Sequence, residues 1–76
     1  MSFVARVEFC DKVQESVTVP SFREAQRWMR ARLASHLSAP CDHCIEVTRM
    51  LIDSLSDATG PRWEDNDAYD YIIEQQ

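Results

Sequence analysis

Two cysteines, three positions apart, are the residues whose spacing most directly suggests chemistry. Cys41 and Cys44 form a Cys-x₂-Cys pair, and His36 precedes that pair by five residues. Such a loop allows two thiolates to reach one tetrahedral Zn²⁺ ion. We therefore consider a zinc site with His36, Cys41 and Cys44 as ligands and Cys10 or His43 as the fourth. A second paired half of the motif is missing from the sequence, which favours the alternative that these are ordinary buried or surface thiols.

The sequence predicts that the chain is not an enzyme. It contains no G-x-S-x-G nucleophile motif and no H-E-x-x-H motif, and its single glycine excludes a glycine-rich phosphate loop. A redox role for the Cys-x₂-Cys pair is disfavoured, because such pairs normally open a helix after a strand in a βαβ unit, which is not apparent here. A chain of this size also seldom forms a cleft that buries a substrate. No cofactor is expected, apart from zinc in the alternative above.

A group of arginines predicts a surface that binds a partner. At about 100° per residue, Arg23, Arg27 and Arg30 fall in one stripe along a helix, and Trp28 lies on the other flank of that helix. Guanidinium groups bind planar anions in a bidentate manner, and tryptophan often anchors interfaces. The competing interpretation is a solvated helix face with internal pairs such as Glu24 with Arg27.

An acidic segment predicts a second contact surface. Residues 64–74 hold five acidic residues and no basic residue, with aromatic residues interleaved. Carboxylates arranged beside aromatic rings can occupy a basic groove on a partner protein. The residues assigned to this surface are Trp63, Glu64, Asp65, Asp67 and Asp70. The alternative is simple solvation, with the aromatic residues packing a C-terminal helix.

Length, charge and composition limit the classes of protein that fit this chain. Its 76 residues, 45% of them hydrophobic, predict one small folded domain over residues 1–76. The sequence shows neither a signal peptide nor an apolar run long enough to cross a membrane, and its odd number of cysteines favours the cytoplasm. The net charge of −5 disfavours direct binding of nucleic acid.

The N-terminal residues predict a β-hairpin. Apolar residues alternate over 3–9 and again over 13–19, as in half-buried strands. Pairing Phe9 with Val13 and Phe3 with Val19 keeps both apolar sets on one face of the sheet. That register leaves a three-residue loop over residues 10–12.

A capped helix should follow the hairpin. Ser21 and Glu24 form the S-x-x-E pattern of a capping box, and the helix is predicted to run from residue 22 to about 37. Pro40 is expected to prevent its continuation. The predicted apolar face consists of Phe22, Ala25, Met29, Leu33 and His36. This face should lie across the hairpin.

The second half of the chain permits two interpretations. β-Branched residues favour a strand over 44–53 with a return strand over 62–64, because a lone two-stranded hairpin is marginally stable. Apolar spacing also fits a helix with Asp42 as its N-cap and Gly60-Pro61 as its stop. In both, Asn66 caps a short C-terminal helix. The predicted fold is therefore α+β, an antiparallel sheet covered by the arginine-rich helix; the alternative is a hairpin followed by three helices.

The layout resembles that of small phage-encoded anti-CRISPR proteins. The resemblance lies in the strand over 16–19, the capped helix start over 21–28 and the turn over 60–63, and it spans residues 3–63 as a pattern. It implies an inhibitor that blocks a CRISPR effector or a similar nucleoprotein complex of the host, and it assigns no individual residues. The predicted function is thus a protein inhibitor or adaptor that acts by surface contact. The alternative function is a small zinc module in nucleic-acid or transcription-related interactions.

Overall fold

The computed structural model describes residues 1–38 and 41–76 of the chain. Its elements are β1 (Phe3–Phe9), β2 (Lys12–Val19), α1 (Phe22–Ala34), a 3-10 helix (Ser35–Ser38), α2 (Asp42–Asp57), β3 (Trp63–Asn66) and β4 (Asp70–Gln75). The strands form one antiparallel sheet in the order β2-β1-β4-β3. The predicted α+β class is confirmed. Neither described helix has the length and apolar character needed to cross a membrane.

The helices cover one face of the sheet, and the other face carries charged side chains. α1 lies across β1, β2 and β4, and α2 packs against α1. The buried core on the helix side consists of Phe3, Ala5, Val7, Ala25, Met29, Leu33, Leu51, Leu55, Trp63, Tyr71 and Ile73. On the open face, Arg6 pairs with Glu8 and Glu74. Arg62 pairs there with Glu64 and Glu74.

The predicted hairpin is present, but its turn is shorter than expected. Phe3 pairs with Val19 as predicted, whereas Phe9 pairs with Lys12 instead of Val13. The loop therefore contains only Cys10 and Asp11, with φ angles of 52° and 64°. A register shift between Val7 and Glu8 restores the expected register for the rest of the ladder. A two-residue loop without a bulge would place the apolar residues of β1 and β2 on opposite faces of the sheet. The extra residue of the bulge in β2 brings both sets back to the same face.

Replacing Cys10-Asp11 by Asn-Gly should stabilise the protein. Both positions have left-handed backbone, which Asn and Gly adopt at lower cost than most residues. We expect the free energy of unfolding to rise by about 1 kcal/mol in urea denaturation. Glu15→Gly, in the extended backbone of β2, is the control and should lower it by about 0.5–1 kcal/mol. An Asn-Gly variant no more stable than the parent would contradict the two-residue turn.

Helix α1 begins as predicted and ends earlier. The Ser21 hydroxyl accepts a hydrogen bond from the Glu24 amide at 3.2 Å, which caps the helix. The α-helical hydrogen bonding stops at Ala34, and the chain continues as a 3-10 helix. His36 is therefore exposed instead of extending the apolar face. Pro40, the expected stop, lies outside the described residues.

The strand predicted over 44–53 is wrong, and the alternative helix is correct. α2 covers this segment, with Thr48, Leu51 and Leu55 buried at helical spacing. Its N-cap is Cys41 instead of Asp42. The amphipathic period decides the conformation here, because it buries one continuous face against α1 and overrides the β propensity of the branched residues. The return strand predicted over 62–64 overlaps β3 (Trp63–Asn66), and it pairs with β4 instead of with residues 44–53.

The predicted C-terminal helix is also wrong, as is the arrangement of a hairpin with three helices. Residues 70–75 form β4, between β1 and β3. Tyr71 and Ile73 are buried on the helix side, and Ile72 is buried on the open face. β4 has a neighbouring strand on each side and is buried on both faces at this point. Its consecutive apolar residues Tyr71, Ile72 and Ile73 therefore alternate between the two faces. Asn66 caps no helix; its side-chain amide donates to the Asp70 carboxylate.

The link from α2 to β3 requires the one glycine of the chain. Gly60 has φ +84°, and a Cβ there would lie 3.0 Å from Cγ of Phe22. The Phe22 ring also meets that of Phe3 edge-on, with centroids 5.9 Å apart. The backbone at Gly60 therefore packs directly on the start of α1. This contact fixes the end of α2 beside the first turns of α1, and a surface groove forms between the two helices there.

Candidate binding site: an arginine groove between the helices

A surface groove lies between α1 and the last turns of α2. It has a volume of about 290 Å³ and is lined by Arg23, Gln26, Arg27, Arg30, Leu55 and Ser56. We call it the arginine groove. The three predicted arginines form its α1 wall, because positions four and three residues apart lie on one side of a helix. All three are exposed at the surface.

Gln26 holds the two walls together. Its side-chain amide donates to the carbonyl oxygens of Leu55 at 3.0 Å and Ala58 at 2.8 Å. Both carbonyls lie at the end of α2, where partners within the helix run out, and the Leu55 carbonyl also accepts from the Ala58 amide at 3.2 Å. Because Gln26 satisfies them, the neighbouring guanidinium groups are not needed for that purpose.

Three other arginines, Arg6, Arg32 and Arg62, form ion pairs with carboxylates. Within residues 1–38 and 41–76, the groove arginines Arg23, Arg27 and Arg30 make no ion pair. The predicted alternative, an internal pair between Glu24 and Arg27, is not formed, and Glu24 instead contacts the Ser21 cap. The groove thus gathers three cations that the described residues leave uncompensated.

No family model, curated protein or solved structure matches this chain. The evidence for a function therefore comes from the arrangement of its own residues.

The outer surface of α2 has the opposite charge. Asp42, Glu46, Asp53 and Asp57 are exposed and recur at helical spacing, so they share one side of the helix with a single cation, Arg49. An extended polyanion lying in the arginine groove would approach these carboxylates if it continued over α2. The charge pattern accordingly favours a partner with a short anionic segment over a long, uniformly charged one.

Trp28 does not belong to the arginine groove. It lies on the opposite flank of α1, half-buried against the core. The Arg32 guanidinium lies over its ring, 5.1 Å from the centroid, and also pairs with Glu15 at 3.0 Å. The predicted patch of Arg23, Arg27, Trp28 and Arg30 is therefore divided. Only its arginines share a surface.

Trp63 is not available to a partner. The predicted contact residue is 7% exposed and belongs to the core. Its indole N–H donates to the Ser54 hydroxyl at 3.1 Å, which joins β3 to α2. The prediction was wrong because Trp63 begins a strand with its side chain on the helix side of the sheet.

The predicted acidic surface is dispersed around the β3–β4 hairpin. Glu64 lies on the open face and pairs with Arg62 at 2.8 Å. Asp65 lies on the opposite face of its strand and accepts a hydrogen bond from the Asn66 amide. Asp70 is bonded to the Asn66 side chain. Glu64 and Asp70 lie on the open face and Asp65 on the helix side, and each has a hydrogen-bond partner beside it, so the three do not form one free acidic surface.

Asp67 occupies the turn of that hairpin and faces the helix side. Its amide donates to the Tyr69 carbonyl at 2.9 Å. Burial raises the pKa of Tyr71, and the Asp67 carboxylate contributes to that rise. This places Asp67 at the end of the sheet near the start of α2, far from a common surface with Glu64.

The predicted zinc ligands are not assembled into a site. Among the residues that the structure describes, no group of three or more His, Cys, Asp or Glu side chains is placed to hold a metal. Cys10 lies in the β1–β2 turn, and the His36 ring lies beside Tyr69 with centroids 6.5 Å apart. Cys41 and Cys44 remain together at the start of α2, where His43, the alternative fourth ligand, also lies.

Sequence reasoning identified the arginine stripe but missed the residues that turn it into a groove. Gln26, Leu55 and Ser56 complete the lining. Gln26 lies beside the stripe on the helical wheel, so its polar side chain was a usable signal. Leu55 and Ser56 gave no such signal, because their role depends on how α2 packs.

Proposed function

We propose that this chain is an interaction protein, an inhibitor or adaptor, that binds a partner protein through the arginine groove. The observation that carries the proposal is the set of three guanidinium groups, unpaired within the described residues, on the rim of one groove. The preferred occupant is an acidic segment of the partner, because carboxylates accept two parallel hydrogen bonds from a guanidinium group.

The energetic argument rests on the spacing of the arginines. Like charges three or four residues apart on a helix destabilise it by about 0.2–0.5 kcal/mol per pair. No ion pair within the described residues offsets this repulsion. A partner that supplies carboxylates would remove the repulsion and add charge-assisted hydrogen bonds, so both effects favour the bound state.

A protein partner fits the charge distribution better than nucleic acid does. The net charge is −5, and α2, which forms the second wall of the groove, carries four exposed carboxylates. Long-range repulsion from these charges opposes an extended phosphate backbone. The groove also includes the apolar side chain of Leu55, which suits a peptide segment with mixed character.

The inhibitor role and the place of action follow from the sequence. The anti-CRISPR resemblance implies that the partner is a protein of a nucleoprotein defence complex. The corresponding place of action is the cytoplasm of the host cell. The three free, exposed cysteines suit a reducing compartment.

A capture experiment from bacterial lysate tests the proposal. Tagged protein is incubated with lysate, with and without nuclease, and bound proteins are identified by mass spectrometry. We expect a stoichiometric protein that survives nuclease and is released by high salt, because exposed ion pairs are screened.

Two results would count against the proposal. Capture that disappears with nuclease would make nucleic acid the ligand. Capture that is insensitive to salt and to charge changes in the arginine groove would place the contact elsewhere on the molecule.

A further inference from the structure

The Cys-x₂-Cys pair occupies the first turn of a helix. Cys41 is the N-cap of α2, with φ −104° and ψ 118°, and Cys44 lies in the first turn. Both thiols are free and exposed. The sequence disfavours redox chemistry because such a pair normally opens a helix after a strand in a βαβ unit, and the antiparallel sheet of the described residues indeed contains no such unit. The pair nevertheless opens a helix, although that helix does not follow a strand directly.

The surroundings of the two sulfurs differ. The first turn of a helix offers backbone N–H groups that have no partner within the helix. The neutral Cys41 side chain makes no cap hydrogen bond, so these N–H groups remain available to a thiolate. The Cys44 amide, the Cys44 thiol and the His43 amide lower the pKa of Cys41. The Cys41 thiol raises the pKa of Cys44, and the nearby Asp67 carboxylate adds to that rise.

This geometry suits a pair of sulfurs with different tasks. The N-cap residue and the third residue of a helix place their side chains beside each other, as in a capping box, so Cys41 and Cys44 can join in a disulfide after a small adjustment. The more acidic thiol attacks an external disulfide, and the other resolves the intermediate.

We propose that Cys41 and Cys44 form a dithiol–disulfide site that exchanges with small-molecule or protein disulfides. The Cys41 thiolate attacks one sulfur of R–S–S–R, breaking that bond and releasing one thiolate RS⁻. The Cys44 thiolate then attacks the Cys41 sulfur of the mixed disulfide and releases the second RS⁻. The chain loses two electrons and two protons and gains a Cys41–Cys44 bond, while the external disulfide becomes two thiols.

This site is separate from the arginine groove. Twelve residues of α2 separate Cys44 from Ser56, which corresponds to roughly 18 Å along the helix. The redox proposal therefore does not depend on the proposed function, and either can fail without the other.

The test uses oxidised glutathione as the probe and the full chain with Cys10→Ser as background. We expect reversible loss of both remaining thiols in a monomer whose mass falls by two hydrogen atoms. In this background, Cys44→Ser should accumulate a mixed disulfide with glutathione at Cys41. Cys41→Ser should react more slowly at Cys44, on the order of tenfold at neutral pH.

The variants are expected to fold, because all three cysteines are exposed. Serine at position 41 is a preferred N-cap residue, so Cys41→Ser should retain or gain stability. Equal reaction rates for the two single-cysteine variants would overturn the proposal. Oxidation that yields only covalent dimers, or stoichiometric zinc that protects both thiols, would overturn it as well.

Discussion

Ile73→Ala is expected to lower the free energy of unfolding by about 3 kcal/mol. Ile73 is completely buried on the helix side of β4. It faces Ala5 on β1 and Trp63 on β3 across the ladders. The rigid sheet and the helices above it restrict collapse around the lost side chain, so a cavity should remain. A domain of this size has a total stability of roughly 4–11 kcal/mol, so much of it would be lost.

The neighbouring residue supplies a matched control. Ile72 has the same side chain, lies on the same strand and is 7% exposed, but it faces the open side of the sheet. Its cross-strand neighbours are Arg6 and Glu64. Their flexible side chains can move into the space that Ile72→Ala creates, so this change should cost at most about 1.5 kcal/mol.

Urea denaturation and thermal melting of both variants provide the measurement. The expected decrease in melting temperature for Ile73→Ala is roughly 12–24 °C. Equal losses from the two substitutions would contradict the view that the layer between the sheet and the helices is the main source of stability.

The sequence predicted the first half of the fold well because its signals there are local. Alternation in β1 and the Ser21–Glu24 cap of α1 act within a few residues, and both are present in the structure. The turn at Cys10-Asp11 was mispredicted because a bulge can change the parity of a strand without leaving a pattern in the sequence.

The second half was harder to predict because its conformation depends on distant partners. Ile45 and Val47 have β-branched side chains, yet the helix that contains them is fixed by packing on α1. Tyr71 and Ile73 are strand residues because β1 and β3 flank them on both sides. The same limit applies to the site: the arginines were visible in α1, but the groove exists only once α2 lies beside them.

The double variant Arg27→Glu/Arg30→Glu should weaken binding through the arginine groove by roughly 100-fold. Removing two exposed ion pairs costs up to about 1 kcal/mol each, and placing carboxylates against an acidic segment adds a repulsion of similar size. Arg23 is left unchanged because it lies in the first turn of α1, where a glutamate would interact with the helix dipole and alter stability. The probes are the captured partner and a labelled poly-glutamate peptide.

The matched control is Lys12→Glu/Arg62→Glu, which changes the net charge by the same amount outside the groove. Both of its residues are exposed, and Arg62 already pairs with Glu64 and Glu74. If binding depended only on total charge, both variants would lose affinity equally. The proposal requires that the control retain most of its affinity and that the groove variant lose affinity. The melting temperature of the groove variant should stay nearly unchanged, because the groove arginines make no ion pair in the described part of the chain. Equal weakening would show that long-range charge, and not the arginine groove, attracts the partner.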